Sequence, residues 1–225
     1  MALTIRSEEE VDIDGFAGIR ERRLVMDQRM FGRRAEEGTW QGLADCCYFA
    51  NAWFLKKRGT GLHAHQNVDI VSVITRGQIY HGGTMGEGET VVEDQVQVQM
   101  SRGTGFKHNE ENPLDDVSAM LQIWMMPTET EGEGGYHIVD TQAGAYTEAY
   151  KSASTKVGIL RMNAGDRFQL QEETLGYVYR GAVQVAQGQA GHVQTLERGM
   201  IFRLSNENLD LLAEQDVALA LIQHA

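Results

Sequence analysis

The residues whose types and spacing suit metal chemistry are His63 and His65, in "LHAHQNVD" (62–69), and His108 and Glu110, in "FKHNE" (106–110). In an extended strand, residues i and i+2 point to the same face, so each pair projects as a unit. Two strands of one barrel would bring three imidazoles and one carboxylate to a point, and the separation of 43 residues (108 − 65) leaves room for the strands between. Three nitrogens and an oxygen suit a first-row divalent ion: imidazole serves iron, copper, nickel and zinc, while carboxylate favours harder ions such as manganese. Four protein ligands on an octahedral ion leave two positions for substrate or oxygen. A lone H-x-H or H-x-E is commonly an accident of composition; the argument for a site is that both occur on strand-like segments of the same half of the chain.

The elements that must position these residues are short β-branched and aromatic runs between Gly, Asn and Asp. They include "VDIVSVIT" (68–75), "QIYHGG" (78–83), "TVVEDQVQVQMS" (90–101) and "SAMLQIWMM" (118–126), and later "LGYVYRGAVQVAQG", "GMIFRL" and "VALALIQ". With 25 glycines and two prolines, this pattern predicts an all-β sandwich or barrel. Helix signals are few: a capped turn at "SEEEVD" from Ser7, and 141–151 as a short helix or linker. A shift of 104 positions places "TRGQI" (75–79) on "YRGAV" (179–183), Gly61 on Gly165, and Val96, Val98 and Met100 on Met200, Phe202 and Leu204. Two similar β-domains follow, divided between roughly 128 and 150 and assigned as 1–130 and 131–225. Under the same shift His63 falls on Arg167, His65 on Gln169 and His108 on Leu212, while Glu110 finds Glu214. A fold that needed histidines there would have them in both halves, so their restriction to the first argues for a site.

The chain of 225 residues is long enough to bury real cores. Its net charge of −12 repels phosphate backbones, which excludes nucleic acid as a direct partner. The basic stretches "RERR" (20–23) and "FGRR" (31–34) read as a solvated face or as intramolecular ion pairs. No apolar run approaches the roughly 20 residues of a membrane helix, and the N-terminus turns acidic before an export signal could form. The two cysteines, Cys46 and Cys47, are adjacent, so a disulfide framework is not expected and a reducing cytoplasm is the plain inference.

The stretch "GTGLHAHQNVDIVSVITRGQIYHGGTMG" (59–86), with "VQVQMSRGTGFKHNEENP" (96–113) and "LQIWMMP" (121–127), resembles the pirins in their bacterial quercetinase-like branch. The resemblance is strong over about 55–127 and looser elsewhere. It implies a bicupin: a metal-binding N-terminal cupin domain and a C-terminal cupin-like domain without the ligands. It also implies one mononuclear metal, normally ferrous iron, with ligands matching His63, His65, His108 and Glu110; zinc, nickel, copper or manganese are the alternatives. Departures lie at the rim. Asp69 stands where the family usually has glutamate, "HGGTMG" replaces a more acidic turn around His81, and Asp94 replaces a turn glycine, which aspartate tolerates better than most residues.

The activity the resemblance suggests is a metal-dependent dioxygenase opening quercetin-like flavonols, with a small aromatic substrate and O2 as its partners. Glu110 reads first as a plain ligand, and second as a catalytic general base released from the metal if an apolar pocket raises its pKa. Asp69 is expected to orient a histidine, and His81 to lie near the site mouth. Met100 and Phe106 are candidates for the pocket wall. Gln97 and Gln99 alternate opposite to Val96, Val98 and Met100, one of these two faces must meet the cavity, and Gln97 is accordingly also a candidate pocket or supporting residue; Trp53 and Trp124 read as core. Two further classes compete. One is a non-catalytic, iron-binding redox sensor that docks on another protein. The other is a cupin isomerase acting on a small acid or sugar through Lewis-acid chemistry.

Overall fold

A computed structural model describes residues 3–187 and 192–225. Antiparallel β-structure dominates, as the turn-punctuated apolar runs predict. Two compact units result: Val11–Asp140, and Met1–Glu10 together with Thr141–Ala225. Strand β1 (Leu3–Ser7) pairs with a strand of the second unit, so the first ten residues group with the C-terminal half rather than with the N-terminal domain to which the sequence reading gave them.

In the Val11–Asp140 unit the chain runs through β2 (Ile13–Asp14), β3 (Ile19–Met26), β4 (Cys46–Phe54), β5 (His63–Gln66), β6 (Asp69–Arg76) and β7 (Gln78–Gly83). It continues through β8 (Gly86–Val92), β9 (Gln95–Met100), β10 (Gly105–Glu111), β11 (Ser118–Met125) and β12 (Gly135–Asp140). One sheet has the order β12-β9-β6-β11-β4-β3-β2 and the other β5-β10-β7-β8. The two are joined by an apolar layer in which Ile79 and Val91 of the smaller sheet pack with Ile74, Ala52, Phe54 and Met120 of the larger. The second unit contains β13 (Ala145–Lys151), β14 (Thr155–Met162), β15 (Arg167–Leu170), β16 (Thr174–Arg180) and β17 (Ala182–Gln187). It ends with β18 (His192–Glu197), β19 (Met200–Leu204), β20 (Leu209–Ala213) and β21 (Val217–His224). Its sheets are β1-β19-β16-β21-β14-β13 and β15-β20-β17-β18, around a core that includes Leu160, Val183, Phe202, Leu211 and Leu219. This is the all-β, two-domain cupin expected from the sequence.

The internal repeat is structural. The shift of 104 carries β5 (63–66) onto β15 (167–170) and β7 (78–83) onto β17 (182–187), and the order β5-β10-β7-β8 recurs as β15-β20-β17-β18. The registered pair His63↔His108 therefore has Arg167↔Leu212 as its counterpart. Three local expectations resolve differently from or more finely than the sequence suggests. Residues 145–151 form β13 rather than a helix, because Ala149 and Tyr150 are buried beside β14. The run 90–101 breaks into β8 and β9 at a turn where Asp94 takes φ 67°. At Ser7 the hydroxyl accepts from Glu9 N at 3.2 Å while Ser7 N donates to Glu10 Oε1 at 3.0 Å, a reciprocal cap on the turn Glu8–Glu10. Among the described residues no helix is long and apolar enough to cross a membrane. Cys46 and Cys47 are free and buried.

Strand β10, which carries His108 and Glu110, is held between β5 and β7, and its seating depends on glycine. A Cβ on Gly83 would lie 2.2 Å from Lys107 O and 2.8 Å from His108 Cα, positions no side chain can share with backbone. Gly83→Ala should therefore push β10 outward and lower unfolding stability by about 1–3 kcal/mol, the usual cost of overpacking. Denaturant titration of the metal-free protein reads this, and an unchanged midpoint would contradict it.

Candidate metal centre

Strands β5 and β10 bring together the two sequence pairs. Their antiparallel register sets His63 opposite His108 and His65 opposite Phe106, and the alternation of each strand turns His63, His65 and His108 to one side. One ring nitrogen from each of the three lies within 4.8 Å of the other two. The carboxylate of Glu110 lines the same cavity as His63 and His65 but stands outside that trio.

The rear of each ring decides what its front offers. His63 Nδ1 lies 2.9 Å from Gly61 O, and a carbonyl oxygen can only accept, so Nδ1 carries the proton. His108 Nδ1 lies 2.9 Å from Gln99 Oε1, again an acceptor. Both Nε2 atoms are therefore lone-pair bearers, and they face each other at 2.9 Å. Two imidazole nitrogens bound at right angles to one ion, each about 2.0–2.1 Å from it, stand about 3 Å apart. His65 Nε2 is buried without a hydrogen-bond partner, a costly state for a polar atom unless something completes it. Two lone pairs and an uncompleted third ring nitrogen converge, and the donor set fits a divalent first-row ion.

Burial keeps His65 and His108 unprotonated. His65 is pushed down to about 4, first by desolvation and then by His63, and His108 is pushed far below the ordinary histidine range by desolvation and by His65, His63 and His81. Glu110 moves the other way: its carboxyl rises to about 8, because it is desolvated, against a small opposing contribution from Gln122 and with a further push from Glu21. Gln122 Nε2 sits 3.4 and 3.5 Å from the two carboxylate oxygens.

His63 and His65, with Glu110, line a cavity of about 430 Å³, and His108 is buried behind them. Its wall is aromatic. The Tyr48 and Trp124 rings lie 4.5 Å apart, Phe31 stacks on Trp124 at 6.4 Å, and Trp124 meets His65 edge-on at 5.1 Å. Register explains the alignment: Met26, Tyr48, Trp124 and Ile70 are cross-strand neighbours on β3, β4, β11 and β6. Tyr48 Oη donates to Glu21 Oε2 at 2.8 Å, and Arg23 Nε donates to Glu21 Oε1 at 2.9 Å. Arg23 also pairs with Asp14 at 2.8 Å and with Glu36. The stretch "RERR" thus supplies ion pairs, one of the two readings its sequence allowed.

The remaining expected residues distribute as follows. Asp69 Oδ1 accepts from Ser101 N at 2.7 Å and Ser101 Oγ at 3.2 Å, so it clamps the turn leading into β10, where an orienting contact to a histidine was expected. His81 is buried behind His108, its Nε2 2.9 Å from His108 Nδ1, rather than at a mouth. Phe106 packs under the histidines with Val68 and Ile70, 5.5 Å from the His65 ring and 5.6 Å from His108. Met100 packs against Gly135. Neither Phe106 nor Met100 lines the cavity. Gln97 is buried with Nε2 unpartnered. Trp124, read as core, is a cavity wall. Tyr48, Phe31, Glu21 and Gln122 carried no sequence signal, since each comes to the cavity only through cross-strand register.

The Glu110 shift has a sign that can be worked out for the metal-free protein. Between its ordinary value of 4.5 and about 8, the folded state keeps a proton that the unfolded chain releases, so stability falls as pH rises through that window. Glu110→Gln should abolish this dependence. The metal-free variant should be more stable than its parent at pH 8.5 by a few kcal/mol at most, and near parity at pH 4.5. Denaturant titrations at the two pH values check it, and a parent with a flat profile would refute the burial effect.

Residues 43–125 match the Pirin family. An Escherichia coli relative named quercetin 2,3-dioxygenase is 38% identical over 73 residues, a match covering 32% of this chain and only 31% of that relative's length. A Zymomonas mobilis relative with a provisional quercetin 2,3-dioxygenase name is 26% identical over 186 residues, covering 73% of this chain and 75% of the relative. In fold the chain is similar to the E. coli pirin YhhW, solved with nickel(II), with a TM-score of 0.81 at 16% identity over 98% of both chains. It is similar also to an Acinetobacter baumannii quercetin 2,3-dioxygenase, with a TM-score of 0.70 at 18% identity over 98% of this chain and 85% of that one. The matched segment spans both histidine motifs, so over residues 43–125 the chain is similar to the pirin family, and its two-domain cupin fold is similar to that of the E. coli pirin.

Proposed function

We propose that the chain is a mononuclear-metal dioxygenase acting on quercetin-like flavonols or a related aromatic, with His63, His65, His108 and Glu110 holding the metal and ferrous iron as the first candidate ion. The observation that carries this reading is the convergence of three imidazole nitrogens, two of them on rings that line an aromatic-walled cavity of about 430 Å³, within the range of sites for small planar ligands. The names borne by the E. coli and A. baumannii proteins support the substrate class. When bound, the ion supplies a redox-active Lewis acid at the cavity floor.

The chain's own residues supply the rest. Trp124, Tyr48 and Phe31 present faces and edges suited to a fused-ring substrate and exclude water from it. The Glu21–Arg23 pair fixes Tyr48 through its hydroxyl, so that wall is rigid before substrate enters. Glu110 stands beside the trio with its carboxyl raised to about 8, which suits a group that serves as ligand and also accepts a substrate hydroxyl proton at a carboxylate oxygen. Gln122 restrains that carboxylate from the opposite sheet.

Two measurements test the reading. His63→Ala and His108→Ala should each lose stoichiometric metal, read by elemental analysis after dialysis; full retention in both would remove the site. Iron-reconstituted protein given quercetin should consume oxygen, and His108→Ala should not. Stoichiometric iron with no uptake would leave the centre standing and transfer the function to a non-catalytic iron-binding regulator.

A further inference from the structure

Behind His108, away from the cavity, lie two polar side chains that the proposed chemistry does not use. Gln99 and His108 are both fully buried, and His81 is nearly so. Gln99 Oε1 is 2.9 Å from His108 Nδ1, and His81 Nε2 is 2.9 Å from the same nitrogen and also bonded to Gln99. The other end of the carboxamide, Nε2, is turned to Met85 Sδ at 3.9 Å. A carboxamide can present either end, and here the choice has a consequence. With oxygen toward the ring, His108 holds its proton on Nδ1 and offers a lone pair at Nε2. With the NH2 group toward the ring, the proton would move to Nε2 and point at the His63 lone pair 2.9 Å away, closing the site.

We infer that Gln99 is the positioning residue of the metal centre: its side-chain oxygen accepts from His108 Nδ1 and so fixes the tautomer of that ring, with His81 Nε2 2.9 Å from the same nitrogen as a second acceptor. Gln99 lies on β9 of the larger sheet and His108 on β10 of the smaller, so the contact spans the sandwich and aims a ligand from across the core. Its strand neighbour Gln97 faces the same side by alternation, yet its Nε2 has no partner. A glutamine on this face is therefore not sufficient; the position opposite the ring is. Partners of this kind, behind a metal-binding histidine, typically change metal affinity by 10–100-fold when removed.

The inference rests on the metal-binding reading, and the test separates the two. In metal-free wild-type protein, ¹⁵N–¹H correlation spectra of the histidine rings should show His108 protonated at Nδ1; protonation at Nε2 would overturn the assignment whatever the metal result. Nickel(II) titration by calorimetry should then rank three proteins. Gln99→Leu, which removes the acceptor at similar volume, should bind about 10–100-fold more weakly than wild type. Gln99→Glu, which keeps an acceptor and strengthens it, should bind at least as tightly as wild type and should lower the iron midpoint potential. Equal affinity in wild type and Gln99→Leu would overturn the inference. So would an equal loss in both variants, since that is the signature of packing rather than of hydrogen bonding. If Gln99→Leu fails to fold, the wild-type spectrum and Gln99→Glu decide. Wild-type protein that binds no nickel(II) or iron would fail the metal reading itself, while the tautomer would still judge Gln99.

Discussion

Two imidazole lone pairs facing each other at 2.9 Å are the constraint on which the rest of this structure depends. Left to themselves, the rings would turn apart or share a proton. Each is prevented from doing so from behind, His63 by a backbone carbonyl and His108 by a carboxamide oxygen. Desolvation removes the other escape, protonation, by driving His65 and His108 well below the ordinary histidine range. The protein has thus arranged a local repulsion that a divalent cation relieves. Such a conflict with local preference is characteristic of functional sites. It is tolerable because the surrounding sandwich is closely packed and overdetermines the geometry.

The supports of that arrangement come from unlike sources. Gly83 supplies absence, letting β10 settle against β7 where any side chain would collide with His108. Asp69 and Ser101 supply a clamp on the turn before β10. Glu21, Arg23 and Asp14 supply charge, and they spend it on fixing Tyr48 rather than on binding anything directly. That last network is partly buried, so desolvation offsets much of its Coulombic gain. Its physical effect is on geometry: the aromatic wall above the histidines has one position.

The second unit shows which features belong to the fold and which to the site. It repeats the four-strand order and the boundaries of two of those strands, yet the register that pairs His63 with His108 there pairs Arg167 with Leu212. Gln169, the counterpart of His65, bonds to Asp210 at 2.6 Å. A cupin sandwich with a dense aliphatic core therefore forms without imidazoles at these positions, and the histidines of the first unit are not explained by packing.

The sequence by itself determined the strands, the duplication and the candidate pairs His63/His65 and His108/Glu110. Period-two alternation and turn residues are local signals, and H-x-H and H-x-E need only one strand each to put both members on one face. The family resemblance then followed from those same residues. The tertiary structure alone decided everything that depends on which strand lies beside or across from which. Trp124 reads as a core residue along β11 and becomes a cavity wall because Tyr48 is its cross-strand neighbour. Asp69 sits one strand away from the histidines and holds Ser101. His81 stands behind the ligands and not before them because β7 pairs with β10 on the side opposite β5. The first ten residues join the C-terminal unit because β1 finds its partner in β19, about two hundred residues away (3 to 204). Register and strand order are set by the packing of two sheets against each other, a long-range balance that no window of sequence contains.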